Sequence, residues 1–380
     1  MERTSTWLRT TDAQLIGLTL LTKALLFGWG LLVVAASQGR AVDLGQAFAI
    51  WTRWDAPHYL DLAIWGYMAV DPGVSPTFGN QGDMDLMIVF YPLLPALIAA
   101  ARLALPDLAA PILISTIASV AAVLLLYRVV ARELGEQMGR RAAMFLLIFP
   151  TAYFLHIGYT ESLFLALVLG TFLAARSNRW MTAGVAGGLA ALTRVNGLVL
   201  VPALAGEAWT EWRESRHLRP AWGWIGLVVA GFGGYLLLNQ IVYGNPFAFV
   251  EIQREHWFKT LAWPWEGIGG VLSRLSGTLE DVLVLGVAEL AAIALGLAGT
   301  VVAVRRFRPS WALWMGVNWL LFVSTSFVLS VPRYVLVLFP LYAWFAILTE
   351  RRWLGLAIGV GSVGLLLWFS ARFATGAWAF

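Results

Sequence analysis

The sequence predicts an all-α polytopic membrane protein, and three observations carry that prediction. Of its 380 residues, 59% are hydrophobic and only 13% charged, against about 25% charged in soluble domains. Apolar runs suited to spanning helices recur from end to end, with a mean hydropathy of +0.74. Short arginine clusters at 128–141, 176–179, 213–219, 305–308 and 351–352 punctuate those runs, as cytoplasmic turns do when they orient helices. The basic balance, with a pI near 9.5, is therefore topological and does not point to nucleic acid. Cysteine is absent, which excludes disulfides, a thiol nucleophile and cysteine-ligated metal. The histidines His58, His156, His217 and His256 are scattered, without the helical pair that zinc requires.

The elements follow in chain order. Arg3 and Arg9 precede an apolar run over 15–36, longer than the roughly 7–15 residues of a signal-peptide core. It reads as an uncleaved first spanning helix that starts in the cytoplasm. The loop 37–107 is then extracytoplasmic. Its apolar segment 88–104 contains Tyr91-Pro92, Pro95 and Arg102, and prolines interrupt a regular helix, so this segment is expected to lie along or dip into the membrane. A helix over 108–131 follows, then tight pairs within 142–175 and 181–209 with turns near Gly158–Ser162 and Thr193–Gly197. Gly184 and Gly188 have the spacing of closely packed helices. Helices near 221–243 and 283–304 flank a second extracytoplasmic loop, 244–282. A pair over 311–329 and 334–349, joined by Ser330-Val331-Pro332-Arg333, and a last helix over 353–371 complete about eleven crossings. The chain is expected to be one integral-membrane domain spanning 1–380, in a cell membrane of prokaryotic type.

Charged residues within such a frame need a reason. Arg53-Trp54-Asp55-Ala56-Pro57-His58-Tyr59 stands just beyond the first helix, where unpaired charge is costly. Pro57 suits the first turn of a helix, and Asp55 either caps that helix or serves as a base. Partial desolvation would weaken it as an acid and suit it to deprotonating an alcohol. Glu161 begins a helix after Gly158-Tyr159-Thr160, either as a partner of the helix dipole or as a site residue. Arg194 and Arg333 sit at the tips of apolar hairpins. Two arginines converging on one face suit a phosphate, because guanidinium binds it bidentately; structural ion pairing is the other reading. Arg254 and Lys259, in an aromatic segment with Gln253 and Trp257, fit an interfacial helix or a lid over a phosphate head group. Asp83 and Asp85 follow the glycine-rich stretch 79–82; their Asp-x-Asp spacing allows a divalent metal without supporting one, a solvated glycine-rich loop is the favoured reading, and no other cofactor is implied.

Several of these segments occur in a familiar order. Arg53-Trp54-Asp55 with His58-Tyr59 and Gly66-Tyr67 precedes Phe90-Tyr91-Pro92-Leu93-Leu94-Pro95. Gly158-Tyr159-Thr160-Glu161-Ser162 and Thr193-Arg194-Val195-Asn196-Gly197 come next. Asn245-Pro246 with Gln253 and Trp257, and Pro332-Arg333-Tyr334 with Phe339-Pro340-Leu341, complete the set. The sequence resembles the PIG-V family, the second mannosyltransferase of glycosylphosphatidylinositol assembly, and its prokaryotic relatives. That resemblance implies a GT-C membrane glycosyltransferase acting on the extracytoplasmic face, with a polyprenyl-phosphate mannose donor and membrane-parallel helices in the first external loop. It also implies that Asp55, the acidic residue of that loop, acts at the reacting centre. The chain is shorter than the eukaryotic members, so the acceptor, lipid-linked or another glycan, does not carry over.

The chemistry of the residues fits this expectation. Phosphate is already an acidic leaving group, so the reaction needs a base, cations for the phosphate and a dry site. Asp55 would be the base, with His58 and Arg53 orienting it or the acceptor. Arg333 and Arg194 would hold the phosphate, with Arg254 and Lys259 as further candidates. Trp54, Tyr59 and Tyr334 would line the sugar pocket, with Glu161, Asn196, Gln253 and Trp257 as further sugar or acceptor contacts. A single displacement inverts the anomeric centre. The rival class is a transporter or lipid flippase, which repeated halves and charges at the midplane would mark; here the polar residues gather in loops on one face. A GT-C enzyme for another sugar, or a catalytically silent scaffold subunit, are further readings.

Overall fold

The computed structural model describes residues 2–67 and 84–380. Asp71, Asp83 and the glycine-rich stretch 79–82 lie outside the described residues. The chain begins with α1 (Glu2–Gln38), and the segment that follows carries α2 (Asp55–Trp65) and α3 (Leu93–Ala101). Next come α4 (Ala109–Leu134), α5 (Glu136–Ile148), α6 (Glu161–Ala175), α7 (Trp180–Ala191), α8 (Leu200–Ser215) and α9 (Gly226–Tyr243). The connection after α9 holds α10 (Ala248–His256) and α11 (Pro264–Ser273). A π-helical turn, Asp281–Ala288, runs into α12 (Glu289–Arg306). The chain ends with α13 (Pro309–Val323), α14 (Val331–Val335), α15 (Pro340–Leu348) and α16 (Arg352–Thr375). Among the described residues the extended pairing is one isolated bridge, Leu261 with Thr325.

Among the described residues, five helices are long and apolar enough to cross a membrane: Thr10–Gln38, Ala109–Leu134, Pro220–Tyr243, Asp281–Arg306 and Arg352–Thr375. The other expected crossings fall on α5, α6, α7, α8, α13 and α15, which hold 9 to 16 residues, short of the roughly 20 needed to span alone. The expected helix over 334–349 is shorter than its apolar run. Pro332 and Pro340 lack the N–H a continuous helix needs, so the chain unwinds between α13 and α15 and forms the separate turn α14. The segment 88–104 yields only α3, nine residues or about 14 Å at 1.5 Å per residue. It packs on α2 and α4, consistent with a segment that does not cross.

The bundle is built around α4, which packs on α1, α5 and α6; α6 continues to α7 and α9, while α8, α13 and α12 form the other side. The turn from α4 into α5 needs Gly135, whose φ of 89° is open to glycine and strained for other residues. The α7–α9 seam is the closest approach. A Cβ on Gly231 would lie 2.2 Å from the Gly188 carbonyl oxygen, and one on Gly184 would lie 2.2 Å from that of Trp224. This is the close packing that the Gly184/Gly188 spacing predicts. Gly231→Val is therefore expected to destabilise the protein by about 1–3 kcal/mol through overpacking. The thermal unfolding temperature in detergent should fall relative to Gly233→Val, whose Cβ meets open space.

Candidate active site

Four of the residues that chemistry singled out, Asp55, Glu161, Arg194 and Arg333, come together. Asp55 occupies the first turn of α2, but its carboxylate leaves the helix. Arg333 Nη1 donates to Asp55 Oδ2 at 2.5 Å. The same guanidinium donates from Nε to Glu161 Oε1, and Arg194 Nη1 donates to that same oxygen. Two arginines and two carboxylates thus form one chain of contacts: Asp55, Arg333, Glu161, Arg194. Glu161 is fully buried, the Arg333 side chain is 8% exposed, and Asp55 is 33% exposed. The outermost member of the network is therefore the aspartate. Glu161 Oε2 is buried without a hydrogen-bond partner among the described residues.

Local structure fixes each member. Glu161 stands in the first turn of α6, where the helix dipole favours negative charge. Arg194 lies in extended backbone (φ −159°, ψ 148°) after α7 ends, and it also donates to Thr160 Oγ1 at 3.0 Å. Arg333 lies over the rings of Tyr159 and Phe154, 4.6 and 5.0 Å from their centroids, and aromatic faces attract a guanidinium. Tyr159 also sets the aspartate. Its hydroxyl donates to the Arg53 carbonyl at 2.8 Å and accepts from the Asp55 N–H at 3.2 Å. Between these bonds Trp54 is held at φ 56°, ψ −107°, a conformation that costs a bulky residue of order 1–3 kcal/mol. Its indole meets Trp378 edge-on at 5.0 Å. That conformation, over-determined by its neighbours, fixes where Asp55 leaves the chain.

Electrostatics corrects the expectation for Asp55. Burial by itself pushes its carboxyl up, but Arg333, with help from His58 and Arg194, outweighs burial and holds it below the usual carboxylate range. The sequence gives the sign of desolvation but not the partner that reverses it. The carboxylate is thus ionised in the free protein, and a helix cap is not its role. His58 is pushed down by burial despite Asp55 and Asp61 nearby, so its imidazole is neutral at neutral pH. That ring packs on Phe90 at 4.8 Å, with Nδ1 buried and unpartnered among the described residues.

The remaining predicted residues divide. Tyr334 and Lys259 join the cluster. The Tyr334 ring lies between Arg194 at 5.5 Å and Lys259 at 5.6 Å, and Lys259 donates to its hydroxyl at 3.2 Å. Tyr59 and Trp257 pack on Phe90, and the Gln253 carbonyl accepts from Trp257 and Lys259 to shape the loop that delivers the lysine. Three residues are not brought to the network. Arg254 pairs with its exposed neighbour Glu255 at 3.1 Å, because a short surface helix offers that partner first. Asn196 commits its amide to Asn318 of α13 at 2.8 Å, holding two helices together. Arg53 donates from Nε to the Ile50 carbonyl and turns its guanidinium toward Gly376; its contribution near the site is the carbonyl bonded to Tyr159. Phe154, Tyr159 and Thr160 went unassigned in the sequence; only the Tyr159-Thr160-Glu161 run gave a signal. Among the described residues no group of three or more His, Asp or Glu is placed to hold a metal.

Residues 91–233 match the family described as dolichyl-phosphate-mannose-protein mannosyltransferase, less than half of the chain. No curated protein sequence matches. Among solved structures, ArnT from Cupriavidus metallidurans, bound to undecaprenyl phosphate, is similar over 95% of this chain and 76% of its own, with a TM-score of 0.50 at 16% identity. The Archaeoglobus fulgidus oligosaccharyltransferase is similar over 88% of this chain and 49% of its own, with a TM-score of 0.47 at 14% identity. The chain is thus an integral membrane protein with the GT-C fold.

Removing one member of a buried ionic network leaves the rest uncompensated, at about 3–5 kcal/mol. Glu161→Leu, which strands two arginines, is expected to lower the unfolding temperature in detergent sharply. Arg254→Ala should leave it within the scatter of exposed sites, about 0.5 kcal/mol. Equal effects from the two would show that the network adds nothing to the fold.

Proposed function

We propose that this protein is a polyprenyl-phosphate-dependent glycosyltransferase that moves a hexose, mannose on the family resemblance, to an acceptor hydroxyl on the extracytoplasmic face. The observation that carries the reading is the ion pair between Asp55 and Arg333, which sets a base beside a phosphate-binding cation at the rim of a buried network. The match of 91–233 to a mannosyltransferase family and the fold shared with an undecaprenyl phosphate-binding protein support the same reaction class. The loop positions of the polar residues favour an interfacial enzyme over a transporter.

On this reading the donor phosphate meets Arg333 and Arg194, with Lys259 as a third cation. The acceptor oxygen attacks the anomeric carbon from the face opposite the phosphate, and the carbon–oxygen bond to the phosphate breaks with inversion. Asp55 takes the acceptor proton, and the phosphate departs with one more negative charge. Negative charge thus leaves the aspartate and arrives on the phosphate, and Arg333 is placed to face both ends of that transfer. A fixed cation of this kind stabilises the developing charge without reorganising. A donor phosphate that shares Arg333 with Asp55 weakens the influence that holds the carboxyl down and makes it a stronger base once substrate is present. Neutral His58, three residues along the same helix, offers an acceptor to orient the incoming hydroxyl.

Two measurements test this. Purified protein supplied with polyprenyl-phosphate mannose and a glycolipid acceptor is expected to form a mannosylated lipid, and Asp55→Asn to reduce kcat by about 10²–10⁴-fold; a folded Asp55→Asn protein with normal transfer would refute the assignment. In the pH profiles, kcat/KM reports the free enzyme, where Asp55 stays ionised as pH falls until below the usual carboxylate range, so it shows no acidic limb from Asp55 between about pH 5 and 8. The limb in kcat, which reports the substrate complex, is expected at higher pH. A kcat/KM limb near about pH 6 that disappears in Asp55→Asn would contradict the role of the ion pair.

A further inference from the structure

Glu289 is fully buried, at the seam where the π-helical turn Asp281–Ala288 passes into α12. A carboxylate there is costly, and nothing in the reaction just described uses it. Its oxygens go to two successive backbone donors. Ser330 N–H donates to Oε1 at 2.6 Å and Val331 N–H to Oε2 at 2.8 Å. These amides open α14, where helix-start N–H groups have no intrahelical partner, and Arg333 follows two residues later. Ser330 is held at φ 70°, a left-handed conformation that a serine keeps only when its surroundings impose it. From the other side, Thr151 Oγ1 donates to the Pro332 carbonyl at 2.9 Å. The segment carrying Arg333 is thus gripped at 330, 331 and 332 by side chains of two other elements.

Two converging N–H donors call for a side chain that offers two acceptor oxygens, as a carboxyl group does. The π-helical turn, a rare distortion often found at functional sites, immediately precedes the glutamate and alters its facing relative to a regular helix. We propose that Glu289 is a positioning residue: by clamping the Ser330 and Val331 amides it sets the Arg333 guanidinium between Asp55 and the donor phosphate. The proposal rests on the phosphate-binding reading of Arg333. It assigns to Glu289 no contact with substrate.

A double-mutant cycle with an independent structural readout tests it. Glu289→Gln keeps one acceptor and turns an NH₂ group against the other amide, so kcat/KM for the polyprenyl-phosphate donor should fall about tenfold, the scale of one lost buried hydrogen bond. Glu289→Asp, with both acceptors restored on a shorter arm, should recover part of that loss. In an Arg333→Lys background, Glu289→Gln should cost little more, because the group it positions is already gone. Hydrogen exchange of the 330–334 amides should accelerate in Glu289→Gln while exchange in α4 and α6 stays unchanged. Should Glu289→Gln fail to fold, Thr151→Val, which loosens the opposite grip, runs through the same cycle. Full additivity of the losses, or unchanged exchange at 330–334, overturns the proposal. A wild-type protein that transfers no sugar fails the functional reading instead, and the exchange measurement still decides the clamp.

Discussion

The site depends on one guanidinium shared by two carboxylates. Arg333 is nearly buried, and desolvating a cation costs several kcal/mol unless opposite charge lies in contact. Glu161 supplies that charge from beneath and Asp55 from the rim. The contacts join residues 278 and 172 positions apart in sequence. Closing loops of that length before any reward is unfavourable, so the network cannot nucleate the fold. Apolar packing of α4 with α5 and α6, and of α12 with α13, has to bring the pieces together first. The ion network then acts as a test of correct assembly, since any misplacement leaves a charge stranded in low dielectric.

Short elements present Asp55 and Arg333, and the residues just before those elements bear the strain. Asp55 opens α2 behind Trp54 at φ 56°, and Arg333 lies in α14 behind Ser330 at φ 70°. Each strained residue is pinned by hydrogen bonds from a separate element, Tyr159 for the first and Glu289 for the second. The two acids stand in helix first turns, where the dipole favours negative charge. Long helices supply the scaffold, and tightly held irregular segments supply the aim.

Much of this was legible in the sequence because membranes make charge informative. Asp55, Glu161, Arg194 and Arg333 stand out as ionisable residues at the edges of apolar runs, and they are the four that meet. Arg254 misled because an exposed segment gives an arginine a partner one residue away, whatever its spacing suggests. Asn196 misled because a buried amide is as well satisfied by another asparagine as by a sugar. Phe154 and Tyr159 were illegible for the opposite reason: aromatic residues in a run of aromatic residues carry no signal until the cation they face is known. The direction of the Asp55 shift was illegible as well, since burial and pairing act with opposite signs and only coordinates give the distance to Arg333. Glu289 could have been found by the rule that exposed the others, as an acid within an apolar stretch; its partners, being backbone amides, have no sequence signature.

The self-paired resting state has a catalytic consequence under the proposed reaction. A donor phosphate must compete with Asp55 for Arg333, so the ion pair weakens ground-state binding of the donor. As transfer proceeds, the aspartate is neutralised by the acceptor proton and ceases to compete, while charge on the departing phosphate grows. The cation's interaction with phosphate is therefore stronger at the transition state than in the ground state, which is the condition for binding energy to accelerate chemistry rather than merely to hold substrate. Without acceptor, no proton reaches Asp55 and the competition persists. The same carboxylate that accepts the proton thus restrains reaction of the donor until a hydroxyl is in place, and the restraint operates through Arg333.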